Sequence, residues 1–194
     1  MHEVLIQYIG SHSRTSLTQE DIEVIKNVFV PKKLRKRQYF LQEGQVCKHL
    51  GFVVKGAMRQ YSVDYRGAEH VVTLTLENWW VDDRQSFAML TPSIYNIDAW
   101  ENTELLTVTK ADLLDKLNAI PAINEMARIL DENYAFATQK RLNAAISLSA
   151  EERYYELEKT YPEFLQRFPQ HIIASYLGIN RETLSRIRSR AIKK

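Results

Sequence analysis

At 194 residues and 45% apolar composition, the chain can fill one large domain or two small ones with a packed core, which excludes disorder as its ground state. No apolar run approaches the ~18 to 20 residues that span a bilayer, Met1 to Gly10 lacks a leader's basic flank and cleavage site, and Cys47 alone excludes a disulfide framework, a four-cysteine zinc site and a four-cysteine iron–sulfur cluster. A cytoplasmic location is expected, and the net charge of +2 conceals a division: residues 169–194 hold Arg181, Arg186, Arg188, Arg190, Lys193 and Lys194 against Glu182, a surplus of +5 on an otherwise acidic chain.

After a polar entry rich in Ser and Thr, Thr18 stands three residues before Asp21 and opens the apolar pattern Ile22, Ile25, Val28, Phe29. This predicts a short helix begun by a capping box. From Lys33 to Val108 the chain breaks into short β-branched and aromatic runs: Tyr39 to Leu41, Leu50 to Val54, Ala57 to Val63, Val71 to Leu76, Leu105 to Val108. Lys55-Gly56 and Asp64-Tyr65-Arg66-Gly67 fall where hairpin turns are needed, so an antiparallel roll or barrel is predicted. The basic cluster Lys32, Lys33, Arg35, Lys36, Arg37 reads first as a strand edge kept solvated by charge and second as a nucleic-acid patch.

Beyond Asp112 the pattern is helical, with Pro121 suited to the first position of the longest segment. Ile123, Met126, Leu130, Tyr134, Ala137, Arg141 and Ala144 recur at spacings of three and four and draw one seam, interrupted by Arg141. Periodicity leaves two partners open for that seam, a second helix or the chain's own roll. Ser149 then caps a helix from Ala150 to about Thr160, with Glu151 and Glu152 in its first turn, and Tyr161-Pro162 ends it.

Residues 169–188 read PQHIIASYLGINRETLSRIR. Two short helices cross closely only where a small residue sits at the contact and the turn tolerates positive φ, which Ala174 and Gly178 provide. The second helix turns Leu184 and Ile187 inward and leaves Arg181, Glu182, Ser185, Arg186 and Arg188 exposed: a helix-turn-helix with a basic reading face. Arginine bonds guanine bidentately and glutamate accepts from cytosine, so Arg181, Glu182 and Arg186 suit a G/C-containing half-site. The expected division is a β-roll with flanking helices over 1–120, a long helix over 121–148 and an all-α helix-turn-helix domain over 149–194, an α+β chain.

Over about residues 15–190 the sequence resembles the Crp/Fnr family of bacterial transcription regulators. Glu43-Gly44, Val54-Lys55-Gly56 and Asp64 to Gly67 follow the order of that family's cyclic-nucleotide-binding roll, and Arg181-Glu182-Thr183 with Ser185-Arg186-Ile187 is similar to the recognition helix of its catabolite activator branch. The resemblance implies a homodimer built on the long helix, with Ile123, Met126, Leu130, Tyr134 and Ala137 in its interface. It also implies double-stranded DNA with a palindromic operator, RNA polymerase as a further partner, base contacts from Arg181, Glu182 and Arg186, and Thr183 near a phosphate. Ser185, Arg188 and Gln170 complete the expected DNA-facing set. No hairpin wing is expected after the second helix.

The sequence departs from the family at the nucleotide cassette, where Asp82-Asp83 replaces Gly-Glu and Ser93-Ile94 replaces the pair that begins with the phosphate-binding arginine. Cyclic AMP is therefore not expected to bind, and no cofactor or metal is expected. His49 and His70 are expected to face solvent. Trp79, Trp80, Trp100, Phe87 and Tyr95 read first as roll core and packing and second as walls for a flat apolar effector. On the second reading Trp80, Asp83, Arg84, Ser93 and Trp100 form the candidate pocket, with Arg84 the nearby cation. A metal oxygenase on the roll lacks paired histidines, and an interaction module without DNA binding would have lost its base-reading side chains.

Overall fold

The computed structural model describes residues 1–191, so Lys193 and Lys194, counted above in the basic surplus, lie outside the described residues. The chain begins with a helix that the sequence reading passes over, α1 (His2–Ser11), which buries Leu5 and Ile9 completely. The polar Ser/Thr stretch follows α1 and leads to α2 (Gln19–Val28). The capping box is formed: Thr18 Oγ1 accepts from the Asp21 amide at 3.1 Å, and the Asp21 carboxylate accepts from the Thr18 amide at 2.9 Å.

The strands follow as β1 (Val30–Leu34), β2 (Tyr39–Leu41), β3 (His49–Lys55), β4 (Met58–Val63), β5 (Glu69–Thr75) and β6 (Trp80–Val81). After the short helix α3 (Arg84–Met89) come β7 (Asn96–Ala99) and β8 (Thr103–Thr109). They form two four-stranded sheets, ordered β1-β8-β3-β6 and β2-β7-β4-β5, the antiparallel roll expected. The five runs picked out in the sequence are β2, β3, β4, β5 and β8. β1 was hidden by Pro31, which an edge strand tolerates because its outer amide needs no partner. Its lysines are held to the roll: Lys33 pairs with Glu104 at 2.9 Å and Lys32 lies over the Phe40 ring, which fits the charged-edge reading of the basic cluster.

β3 and β8 alternate between two cores. Val53 and Leu105 point into the roll with Met58 and Ile97, whereas Phe52 and Leu106 meet Leu5, Ile9 and Ile25 from the helices. Gly56 (φ +102°) makes the β3–β4 turn, and a Cβ there would stand 2.6 Å from Thr103 Oγ1. In the β4–β5 turn, the Asp64 carboxylate accepts from the amides of Arg66 and Ala68, both at 2.9 Å.

The helices that follow are α4 (Lys110–Asp112), continued as a π-helical turn over Leu113–Leu117, then α5 (Pro121–Ser147), α6 (Ala150–Thr160), α7 (Pro162–Arg167), α8 (Gln170–Leu177) and α9 (Arg181–Ala191). The capping box of Ser149 and Glu152 opens α6 as expected. By density of contacts the chain divides into two compact units, Met1–Gln60 with Thr75–Asn133, and Tyr61–Leu74 with Tyr134–Lys194. In the first unit, Ile123 and Met126 are buried in the chain's own core at 5% and 4% exposure, and Leu130 is packed partly buried against it. That corrects the seam: its first two residues are already covered and have no surface left for a partner.

Candidate nucleic-acid interface

α8 buries Ile172, Ile173, Ala174 and Leu177, and α9 buries Leu184 and Ile187. Ala174, 2% exposed, also accepts from the Ile179 amide at 3.0 Å, and Gly178 takes the left-handed conformation (φ +67°) that ends α8. Asn180, which the sequence reading did not single out, caps α9: its Oδ1 accepts from the Thr183 amide at 2.8 Å. An Asn immediately before the basic helix was the signal available.

Arg181, Glu182, Ser185 and Arg186 are exposed on α9, and Thr183 is half-buried. The Arg186 guanidinium donates to Thr183 Oγ1 at 3.1 Å, which holds it along the helix. Gln170 is half-buried in the first turn of α8, where Pro169 has no side chain to cap the leading amides. Such amides are natural phosphate donors. Arg188, expected to be exposed, is half-buried and interacts with the Tyr154 hydroxyl of α6.

The five residues expected to line an effector pocket are each engaged locally. Trp80 packs against Phe52 at 5.1 Å, Phe29 at 6.2 Å and Tyr8 at 6.4 Å between ring centroids, in the core beneath α1. Asp83 caps α3, accepting from the amides of Gln85 and Ser86. Ser93 closes a turn with Tyr95, whose amide donates to its hydroxyl at 2.9 Å. Arg84 pairs with Asp131 of α5. Trp100 lies under two cations, Lys36 at 5.5 Å and Arg59 at 5.4 Å. Each of the five thus has a partner within its own unit of the protein.

Asp82, half-buried beside Asp83 and Asp131, has its carboxyl pushed up to about 6, mainly by burial, while Arg84 works against that shift. Because the folded chain disfavours its ionised form, this group lowers stability as pH rises from about 4 to about 6. A second pair escaped the sequence reading. Arg59 of β4 and Asp98 of β7 form a bidentate bridge, Nε to Oδ1 at 2.9 Å and Nη2 to Oδ2 at 3.0 Å, with side chains 9% and 7% exposed. Opposite charges inside two apolar strands were the signal.

The cyclic nucleotide-binding domain matches residues 31–119, the roll. The anaerobic regulatory protein of Aggregatibacter actinomycetemcomitans is 25% identical over 188 residues, covering 90% of this chain and 72% of the relative. That of Pasteurella multocida is 25% identical over 191 residues, covering 92% and 69%. Among solved structures, FixK2 from Bradyrhizobium japonicum superposes with a TM-score of 0.69 at 18% identity, covering 86% of this chain and 85% of that one. CLP, a c-di-GMP responsive global regulator of Xanthomonas campestris, gives 0.70 at 14%, covering 91% and 92%. These likenesses show the fold. Among the described residues, no helix is long and apolar enough to cross a membrane.

Proposed function

We propose that this chain, a Crp/Fnr-type transcription regulator by its roll, its curated relatives and its fold, acts as a homodimer that reads a palindromic operator with α9. The observation that carries the reading is the face of α9: Arg181, Glu182, Ser185 and Arg186 exposed above buried Leu184 and Ile187. Guanidinium and carboxylate groups on one exposed helix are the chemistry of base edges, and the surplus cations supply phosphate attraction. The functional division is a roll to residue 120, a dimerisation helix to 148 and a DNA-binding domain beyond it. Its place of work is the cytoplasm, its further partner RNA polymerase, and it is not an enzyme.

Apolar side chains that α5 leaves uncovered support a dimer face on that helix. Phe136, Leu142 and Ile146 are 66%, 61% and 78% exposed, and Ala135, Gln139, Leu142 and Ile146 repeat at spacings of four, three and four. Tyr134 and Ala137, expected in the interface, are exposed as well, on the side of α5 that carries Arg141, whose guanidinium reaches Val72 and Tyr176. Leu142→Glu with Ile146→Glu is expected to sediment as a monomer at micromolar concentration and to lose operator binding in a gel shift. Leu130→Glu, at a position packed on the core, should mainly lower stability. A double variant that stays dimeric places the interface elsewhere.

The roll is not a cyclic AMP site of the family's kind. A buried cyclic phosphate needs a cation and directed donors in place of its water. Here the first amides of α3 are taken by the Asp83 carboxylate, Arg84 is paired with Asp131, and Asp82 adds negative charge as it ionises. Calorimetry with cyclic AMP is expected to show no micromolar binding; binding abolished by Arg84→Ala would reverse this reading.

A further inference from the structure

Arg141 stands on α5, and its side chain reaches two other elements of its unit. The guanidinium lies over the Tyr176 ring, 4.1 Å from the centroid, and donates to the carbonyls of Val72 on β5 and Tyr176 on α8, the latter at 3.3 Å. Ser175, one residue earlier on α8, accepts from the Val71 amide and donates to the Glu69 carbonyl, both at 2.9 Å. β5 ends its sheet, so Glu69 and Val71, alternate residues of an edge strand, would otherwise turn these groups to water. Tyr176 packs edge-on against Phe164 of α7 at 5.8 Å, which ties the junction into the helical core.

We propose that Arg141, Tyr176 and Ser175 form a spacer lock that fixes the helix-turn-helix against α5 and so sets which half-site separation the dimer accepts. This rests on the homodimeric DNA-binding reading above. Two half-sites on one duplex stand about one turn apart, roughly 34 Å, so a dimer held on its long helices matches them only when the joint between those helices and the reading helices is stiff. Backbone alone makes a poor joint, because α5 ends at Ser147 and α6 starts afresh at Ala150 with its own cap. Arg141 crosses that break. An arginine suits the task because its planar fork serves two carbonyls while its face covers a ring, which an ammonium group does not do. The guanidinium and the Ser175 hydroxyl are occupied within the protein, so they act on recognition through α8 and α9 as positioning residues.

The test uses the palindrome selected by the unaltered protein, with its half-sites moved apart or together by one or two base pairs. Each step shifts a half-site by about 3.4 Å and turns it by roughly 34°. The unaltered dimer is expected to lose about tenfold in affinity per step, and the Arg141→Ala, Ser175→Ala double variant about threefold or less, with binding to one isolated half-site unchanged. In Ser175→Ala, hydrogen exchange at the Val71 amide should accelerate while the global melting temperature holds. If Arg141→Ala does not fold, Arg141→Lys, which keeps charge and stem, carries the same expectation. Variants that keep the unaltered spacing preference overturn the proposal, whatever Val71 does. An unaltered protein that selects no palindrome overturns the reading beneath it as well.

Discussion

Replacing Arg59 with alanine is expected to destabilise the roll by about 3 to 5 kcal/mol, read as a lower urea midpoint at unchanged slope. Both members of the Arg59–Asp98 bridge are buried, and the bidentate geometry satisfies both carboxylate oxygens at once. Alanine leaves Asp98 charged, buried and without its counter-charge, and removes the guanidinium from the Trp100 ring. The cost lies in the unpaired charge more than in the lost attraction, so the double change Arg59→Met with Asp98→Leu should recover most of the loss. A loss below about 1 kcal/mol for Arg59→Ala would show that water reaches Asp98 and that the bridge is a surface pair in its energetics.

Local chemistry was the legible part of this sequence. The boxes at Thr18 with Asp21 and at Ser149 with Glu152, the Asp64 to Gly67 turn, and the Ala174 and Gly178 positions all depend on a residue type meeting a neighbouring backbone group, so the sequence alone specifies them. What escaped depends on which of several partners a side chain meets. The α5 periodicity marked a real apolar face, yet Ile123 and Met126 meet the chain's own core, because spacing reports that a face exists and not what covers it. Arg141 interrupted the seam for a reason the sequence does not carry: its partners Val72 and Tyr176 are 69 and 35 residues away. The partners of the cassette residues were missed in the same way, since Asp83 and Ser93 found backbone partners within three residues. α1 was missed because the Ser/Thr-rich tract after it outweighed the apolar Leu5 and Ile9.

The second large effect is on base reading. Arg181→Ala and Arg186→Ala should each lose about 1 to 3 kcal/mol on the preferred operator and relax base choice at one position per half-site, since a bidentate guanidinium contact carries that discrimination. Arg188→Ala should instead lower stability, because that side chain is turned to Tyr154. Lys193→Ala, beyond the described residues, is expected to weaken binding to all DNA alike and to flatten its salt dependence.

Selection from random double-stranded DNA with the unaltered protein and with Arg181→Ala and Arg186→Ala reads whether α9 recognises bases. The expected product is a palindrome with G/C-containing half-sites about one helical turn apart, and a relaxed base position in each half-site for each variant. Recovery of no common sequence, or equal losses for both variants on every sequence, would contradict base recognition by α9.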